Sequence, residues 1–250
     1  MRNNARVILW DFDGTLAERP GMWGGCMLEV LDEHEPNHGI APGSFRPFFG
    51  EGFPWQTPHL AHPELCATEK WWERVEPLFT RGYIGVGFSK ERATALARLA
   101  RERYVEVHHW RRFPDALPVL SNLLERGWRH VVLSNHVPEL GAIISHLGLD
   151  GLLDAIVNSA QTGYEKPHPE AFVLARRAAG DPATIWMIGD NPTADVAGAE
   201  AAGIPAILVR QNGTGAQEVR RRAPDLYSME AFLTAGQETD GATPPLGVIA

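Results

Sequence analysis

The sequence predicts an α/β fold: a parallel sheet with helices on both faces, interrupted by one inserted, mainly helical domain. Three observations carry that expectation. Short apolar runs such as Val7-Ile8-Leu9-Trp10 and Ile207-Leu208-Val209 have the length of buried strands. From residue 111 onward such runs alternate with helical segments of about 10–15 residues, the spacing of right-handed crossovers between parallel strands. Between residues 17 and 110 the alternation stops, and a structureless loop of that length is improbable in a compact domain. The expected division is a Rossmann-like core from residues 1–16 and 111–235, a helical domain at 17–110, and a loose tail at 236–250.

Taken in order, residues 6–16 (Arg-Val-Ile-Leu-Trp-Asp-Phe-Asp-Gly-Thr-Leu) read as a short buried strand running into a glycine turn. A helical segment is expected near 22–34, then a loop-like stretch over 36–63, rich in Pro, Gly, His and aromatics. Helices follow at about 64–80 and 89–107, the second opened by Ser89 as N-cap with Glu91 in its first turn. In the core, a helix at 115–126 ends at Gly127, a strand covers 130–134, and a helix at 138–147 stops at Gly148. A strand at 155–158 precedes a helix at 169–179, which starts on Pro169. A strand at 184–189, a helix at 192–202, a strand at 206–209 and two short helices to about 235 complete the pattern.

Composition bounds the function. The 250 residues hold 23 Lys+Arg against 31 Asp+Glu, a net charge of −8, which argues against electrostatic binding to nucleic acid or an anionic membrane. No apolar run approaches the roughly 20 residues of a membrane span, and the N-terminus shows no signal-peptide stretch. Cys26 and Cys66 form no metal or redox motif, so a reducing cytoplasm is the expected setting. Only three of the 23 basic residues are lysine: Lys70, Lys90 and Lys166.

The chemistry concentrates at the ends of strands, where ligands of open parallel sheets bind. Asp11 and Asp13 close the first strand two residues apart, so alternation points both the same way, and Gly14 permits the turn that follows. Paired carboxylates repel unless a cation sits between them, and hard oxygens suit Mg²⁺. The 130–134 strand ends in Ser134-Asn135 at a helix start, where anions bind. The 184–189 strand ends in Gly189-Asp190 with Asp195 in the next first turn, and Glu165-Lys166-Pro167 precedes the 169–179 helix.

These segments resemble the four ordered motifs of the haloacid dehalogenase-like hydrolases: Asp11-Phe-Asp-Gly-Thr-Leu16, Ser134-Asn135, Lys166-Pro167 and Gly189-Asp190 with Asp195. The insertion point resembles that of subfamily members with a helical cap between the first and second motifs. The resemblance implies a Mg²⁺-dependent phosphatase acting on a small phosphorylated metabolite. Asp11 would be the nucleophile forming an aspartyl-phosphate, and Asp13 the general acid and base. Mg²⁺ would be held by Asp11, the backbone carbonyl of Asp13, and Asp190. Ser134, Asn135 and Lys166, with Thr15 as a minor contributor, would bind the phosphoryl group, and Asp195 would orient Lys166. Asp13 favours phosphoryl transfer over C–halogen cleavage, because dehalogenases of the superfamily lack that second acid. The rival readings are a phosphomutase on the same core and a non-catalytic phosphate-binding or regulatory module. Substrate identity and oligomeric state are not legible.

Other residues carry plainer expectations. His136 is expected as a surface histidine at a helix entry, with a position facing the substrate as the alternative, His168 as a turn residue, and Asp195 alternatively as a mere helix N-terminal acid. Trp71 and Trp72, being adjacent, are not both expected to face one core, which leaves one free to reach the cleft. Phe45, Phe48, Phe49, Phe53 and Trp55 are expected to pack the insertion, with lining of a substrate entrance as the alternative.

Overall fold

The computed structural model describes residues 3–211 and 219–238. Its sheet is built from β1 (Asn3–Trp10), β4 (Trp128–Ser134), β5 (Ala155–Asn158), β6 (Pro182–Gly189), β7 (Ala206–Val209) and β8 (Arg222–Ala223). The spatial order is β5-β4-β1-β6-β7-β8, and every pairing is parallel. β1 is flanked by both halves of the sheet, with Leu9 opposite Val131 on one side and Met187 on the other. The chain builds outward from β1 first through β4 and β5, then through β6, β7 and β8. The direction of winding therefore switches beside β1, the place where such sheets open a crevice at their carboxyl edge.

A strand flanked in this way is covered on both faces, which explains the uninterrupted apolar run of β1. Its side chains alternate between two cores. Val7 and Leu9 pack with Phe172 and Ala175 of α7 (Pro169–Ala178). Ile8 and Trp10 pack on the opposite face with Leu120 and Leu123 of α4 (Ala116–Glu125) and Leu226 and Met229 of α9 (Leu226–Glu238). The insertion comprises α1 (Met22–His34), α2 (Thr68–Gly85) and α3 (Lys90–Val105). Its apolar residues continue the second core without a break, through Phe12, Leu16 and Ala17. Both connections to the sheet run through a short antiparallel ribbon, β2 (Ala17–Glu18) against β3 (Arg111–Arg112). The remaining short helices are α5 (Leu140–His146), α6 (Ser159–Thr162) and α8 (Gly198–Ala201).

Several expectations change. β1 ends at Trp10, so strand alternation does not align Asp11 with Asp13. A tight turn does so instead: the Phe12 carbonyl accepts from the backbone N–H groups of Thr15, Leu16 and Ala17. Trp71 and Trp72 are both buried. The buried stripe of α2 is wide, taking in residues 71, 72, 75, 78, 79, 82 and 83, because the loop carrying Trp55 covers one flank while Trp23 of α1 and the core meet the other. The 36–63 stretch contains 3-10 turns at Arg46–Phe48 and Pro54–Gln56, and a third at Pro63–Leu65 precedes the later start of α2. The 192–202 segment opens as a widened π-type turn, Pro192–Ala197, before α8. Among the described residues after β7, one edge strand and one helix stand where two short helices were expected, and α9 takes in residues 236–238 of the expected tail; residues 212–218 of that segment lie outside the described residues. Residues 239–250 lie outside the described residues.

Candidate active site

The segments leaving the carboxyl ends of β1, β4, β5 and β6 enclose a cavity of about 280 Å³ against the insertion. The core supplies Asp11, Asp13, Asn135, Lys166, Asp190 and Asp195, and the insertion supplies Met22, Trp23, Trp55 and Tyr104. Four of the expected motifs, far apart in sequence, thus meet at one crevice.

Asp11 is the hub. Its backbone N–H still donates to Ile188 of β6 at 2.9 Å, which locks the residue to the sheet edge. Its Oδ1 accepts from Lys166 Nζ at 2.7 Å and from Ser134 Oγ at 3.2 Å. Its Oδ2 has a long contact with Thr15 Oγ1 at 3.5 Å. Ser134 and Thr15 are buried behind the carboxylate and are not part of the cavity wall. Asn135 clamps the lysine loop through both amide atoms: Nδ2 donates to the Lys166 carbonyl at 2.9 Å, and Oδ1 accepts from its N–H at 2.7 Å. Lys166 in turn donates to Asp195 Oδ1 at 2.6 Å, so its ammonium is held between two carboxylates. Asp195 also accepts from the Asn191 N–H at 2.9 Å, which makes it more than a helix-terminal acid. Gly189 allows this closeness, since a Cβ there would stand 2.2 Å from Asp195 Oδ2.

Electrostatics follow the geometry. Burial alone would lower the Lys166 pKa, but Asp11 and Asp195 carry it above the ordinary lysine value. Burial pushes the Asp13 carboxyl well up, and the charges of Asp11 and Asp190 push it further. Burial together with Asp11 raises Asp190 to about 6. A carboxyl whose affinity for its proton is raised beside a second carboxyl is suited to giving and taking a proton.

Divalent-cation binding fits the donor set. Asp11, Asp190 and Asp195 each offer a carboxylate oxygen within 4.8 Å of the others. Asp195 is already engaged by Lys166 and Asn191, whereas Asp13 Oδ1 is buried without any partner. With Asp195 so engaged, Asp11 and Asp190 are left to offer hard carboxylate oxygens, which suit Mg²⁺. Gly14 sits at φ 78°, and a Cβ there would come within 2.3 Å of Asp190 Oδ2, so the turn runs flush against that carboxylate.

The structure corrects one histidine and adds residues the sequence did not single out. His136 is buried, not at the surface: it packs edge-on to Phe12 and against Trp110, with Nε2 3.7 Å from Asp13 Oδ2. Burial lowers its pKa to about 3, so the ring is neutral. His168 caps α7, its Nδ1 accepting from the Glu170 N–H. Gln211, just past β7, donates to Asp190 Oδ2 at 3.1 Å. Arg210 donates to the Thr15 carbonyl and to Asp115, tying the turn after Asp11 to the start of α4. His62 bonds Glu165 at 2.8 Å and so joins the insertion to the residue before Lys166. The strand-end rule that found Asp190 applies equally to β7 and, carried one strand further, would have singled out Arg210 and Gln211. The contacts of His62 and His136 span more than a hundred residues or depend on packing, and carry no local signal.

Fold and site together define an enzyme whose acidic groups gather at the carboxyl edge of a Rossmann-like sheet, around one buried lysine. The chain belongs to the haloacid dehalogenase-like hydrolases, whose family model matches residues 5–203. It is similar to human haloacid dehalogenase-like hydrolase domain-containing protein 3, 28% identical over 98% of this chain and 99% of that one. It is 31% identical to phosphoglycolate phosphatase of Caulobacter vibrioides over 82% of this chain and 79% of that one. Among solved structures, the putative hydrolase YfnB of Bacillus subtilis, bound to magnesium, shares the fold with a TM-score of 0.71. That match covers 92% of this chain and 99% of the other at 18% identity.

Proposed function

We propose that this protein is a Mg²⁺-dependent phosphatase that hydrolyses a small phosphorylated metabolite through an aspartyl-phosphate on Asp11. The observation that carries the reading is the Asp11 carboxylate on the cavity floor, fixed by Lys166 and Ser134, beside an Asp13 carboxyl whose hold on its proton burial strengthens. The phosphatase named among its relatives supports it.

In the first step an Asp11 oxygen bonds to phosphorus while the bond from phosphorus to the ester oxygen breaks. Asp13 gives its proton to that departing oxygen. In the second step Asp13, now ionised, takes a proton from the water that attacks the phosphorus, and the Asp11–phosphate bond breaks to restore the carboxylate. Lys166 and the Asn135 N–H meet the phosphoryl oxygens, and Asp195 keeps the ammonium in place. Asp11, the Asp13 carbonyl and Asp190 would hold Mg²⁺, which neutralises charge between an anionic nucleophile and an anionic ester. The insertion acts as the cap that covers the site and excludes water. Two free thiols, Cys26 and Cys66, suit a cytoplasmic setting.

The test is phosphate release from a panel of phosphorylated metabolites with Mg²⁺, run beside Asp11→Asn. Release that stops in Asp11→Asn and on chelation, and returns with added Mg²⁺, is expected. Activity surviving Asp11→Asn would sink the mechanism, and an isomerised ester without free phosphate would mark a mutase.

A further inference from the structure

The two walls of the cavity differ in kind. The core side is acidic. The insertion side, made by Met22, Trp23, Trp55 and Tyr104, offers ring faces, a thioether and one hydroxyl, with no charge. Among the described residues lining the cavity, Lys166 is the sole permanent cation, and Asp11 and Asp195 occupy its ammonium. Arg19 does not line the cavity; it pairs with Glu29, and its guanidinium lies 5.3 Å from the Tyr104 ring centroid. The sequence of residues 212–218, after Gln211, contains neither Lys nor Arg.

A substrate with a second anionic group would bury that charge against tryptophan and methionine, opposite four carboxylates, with no partner. An uncharged ring meets the opposite situation. Trp23 stacks on Tyr104 with centroids 3.5 Å apart and lies 20° from the plane of Trp55, so the wall is a fixed aromatic surface. The Tyr104 hydroxyl is offered no hydrogen bond by the described residues, which leaves one polar atom for a substrate hydroxyl. Met22 is held at φ 48°, a left-handed conformation that residues with side chains seldom adopt and that collects at functional sites. The volume of about 280 Å³ lies at the low end for small-molecule pockets, which limits the guest to one ring beside its phosphate.

We propose that this wall makes the enzyme specific for phosphate monoesters whose leaving group is uncharged and carries a single ring. The inference rests on the phosphatase reading and deepens it. It also separates this chain from its relative named for phosphoglycolate, a substrate that ends in a carboxylate. A sugar and an aromatic ring present the same kind of face to tryptophan, so the experiment carries one arm for each.

Phenyl phosphate is compared with para-carboxyphenyl phosphate, and glucose phosphate with glucuronate phosphate, both sugars esterified at the anomeric oxygen. In at least one arm kcat/KM is expected to favour the uncharged member by about tenfold or more, the arm identifying the source of the ring. Trp55→Leu and Trp23→Leu are each expected to lower the ratio of phenyl phosphate to acetyl phosphate turnover at least about fivefold. Because each variant is judged by a ratio, a partial loss of folded enzyme does not imitate the effect. Equal or reversed preference in both arms, or an unchanged ratio in both variants, overturns the proposal. If no ester releases phosphate, the phosphatase reading fails on its own. Calorimetric binding of phenylphosphonate against para-carboxyphenylphosphonate then decides the character of the wall: about tenfold tighter binding of the uncharged probe supports it, and parity overturns it.

Discussion

Lys166 shows how a single residue concentrates the design. It is one of three lysines among 23 basic residues, and it is buried between Asp11 at 2.7 Å and Asp195 at 2.6 Å. A compact ammonium fits that gap with its third proton free for a phosphoryl oxygen, whereas a planar guanidinium needs a wider, forked seat. Lys166→Arg is therefore expected to lose about a thousandfold in kcat while keeping its circular dichroism and cooperative melt. Wild-type turnover in that variant would contradict the geometry. Gly14 makes a second prediction at this scale. At φ 78° and pressed against Asp190, it cannot accept a methyl group without displacing that carboxylate. Gly14→Ala should weaken Mg²⁺ affinity by at least about tenfold, read as the Mg²⁺ concentration giving half-maximal phosphate release. The motif residues were legible because they stand at strand ends in a fixed order. The neutral, buried state of His136 was not, since it depends on Phe12 and Trp110, 124 and 26 positions away.

Among the elements, α2 carries the insertion. Its stripe from Trp71 to Tyr83 packs between α1, α3 and the loop of Trp55, and Trp72 reaches across to donate to Glu139 at the start of α5. Trp71→Ala leaves a void in a fully buried cluster and is expected to cost about 3–5 kcal/mol, measured as a lower urea midpoint at unchanged slope. The periodicity of α2 was readable in the sequence, but the burial of both tryptophans was not, because the width of a stripe depends on how many neighbours cover the helix. The ribbon of β2 and β3 was also invisible beforehand. Two residues per strand give no alternation to read, and the pairing of Ala17 with Arg112 exists only once the insertion folds back on itself.

One contribution to the acid response of the whole molecule comes from a pair joining the centre of the sheet to α4. Trp10 Nε1 donates to His130 Nδ1 at 3.0 Å, and His130 Nε2 lies 3.0 Å from the Leu120 carbonyl. That arrangement requires Nδ1 bare and Nε2 protonated, the neutral ring. Burial lowers the His130 pKa from 6.5 to about 4, against the opposing pull of the Leu120 carbonyl and Asp154. The unfolded chain thus takes up a proton near pH 6.5 that the folded one refuses until about pH 4. Its contribution is full above pH 6.5 and is lost as pH falls toward 4, amounting to about 3 kcal/mol across that window. His130→Gln should start less stable at neutral pH and show a flatter decline in unfolding free energy between those limits. An identical slope in the variant would assign the acid sensitivity elsewhere. Over the same scale, the net charge of −8 looks less adverse to phosphate binding, since part of it is the Asp11, Asp13, Asp190 and Asp195 group that a divalent cation offsets.

The order of strands and helices in the core as far as β7, the presence of an insertion, and the acidic residues and lysine at the crevice were legible in the sequence alone. Each rests on short-range periodicity or on a strand-end position, and both are properties of a few consecutive residues. The tertiary structure alone decided which groups touch. It set Ser134 and Thr15 behind Asp11, placed Asn135 as a clamp on the lysine loop, and buried His136 beside Asp13. It also brought Trp23 and Tyr104 beside Trp55, for which lining an entrance was the alternative expectation, as one uncharged wall facing the acids. Those outcomes depend on contacts between segments tens to hundreds of residues apart, which no local pattern encodes.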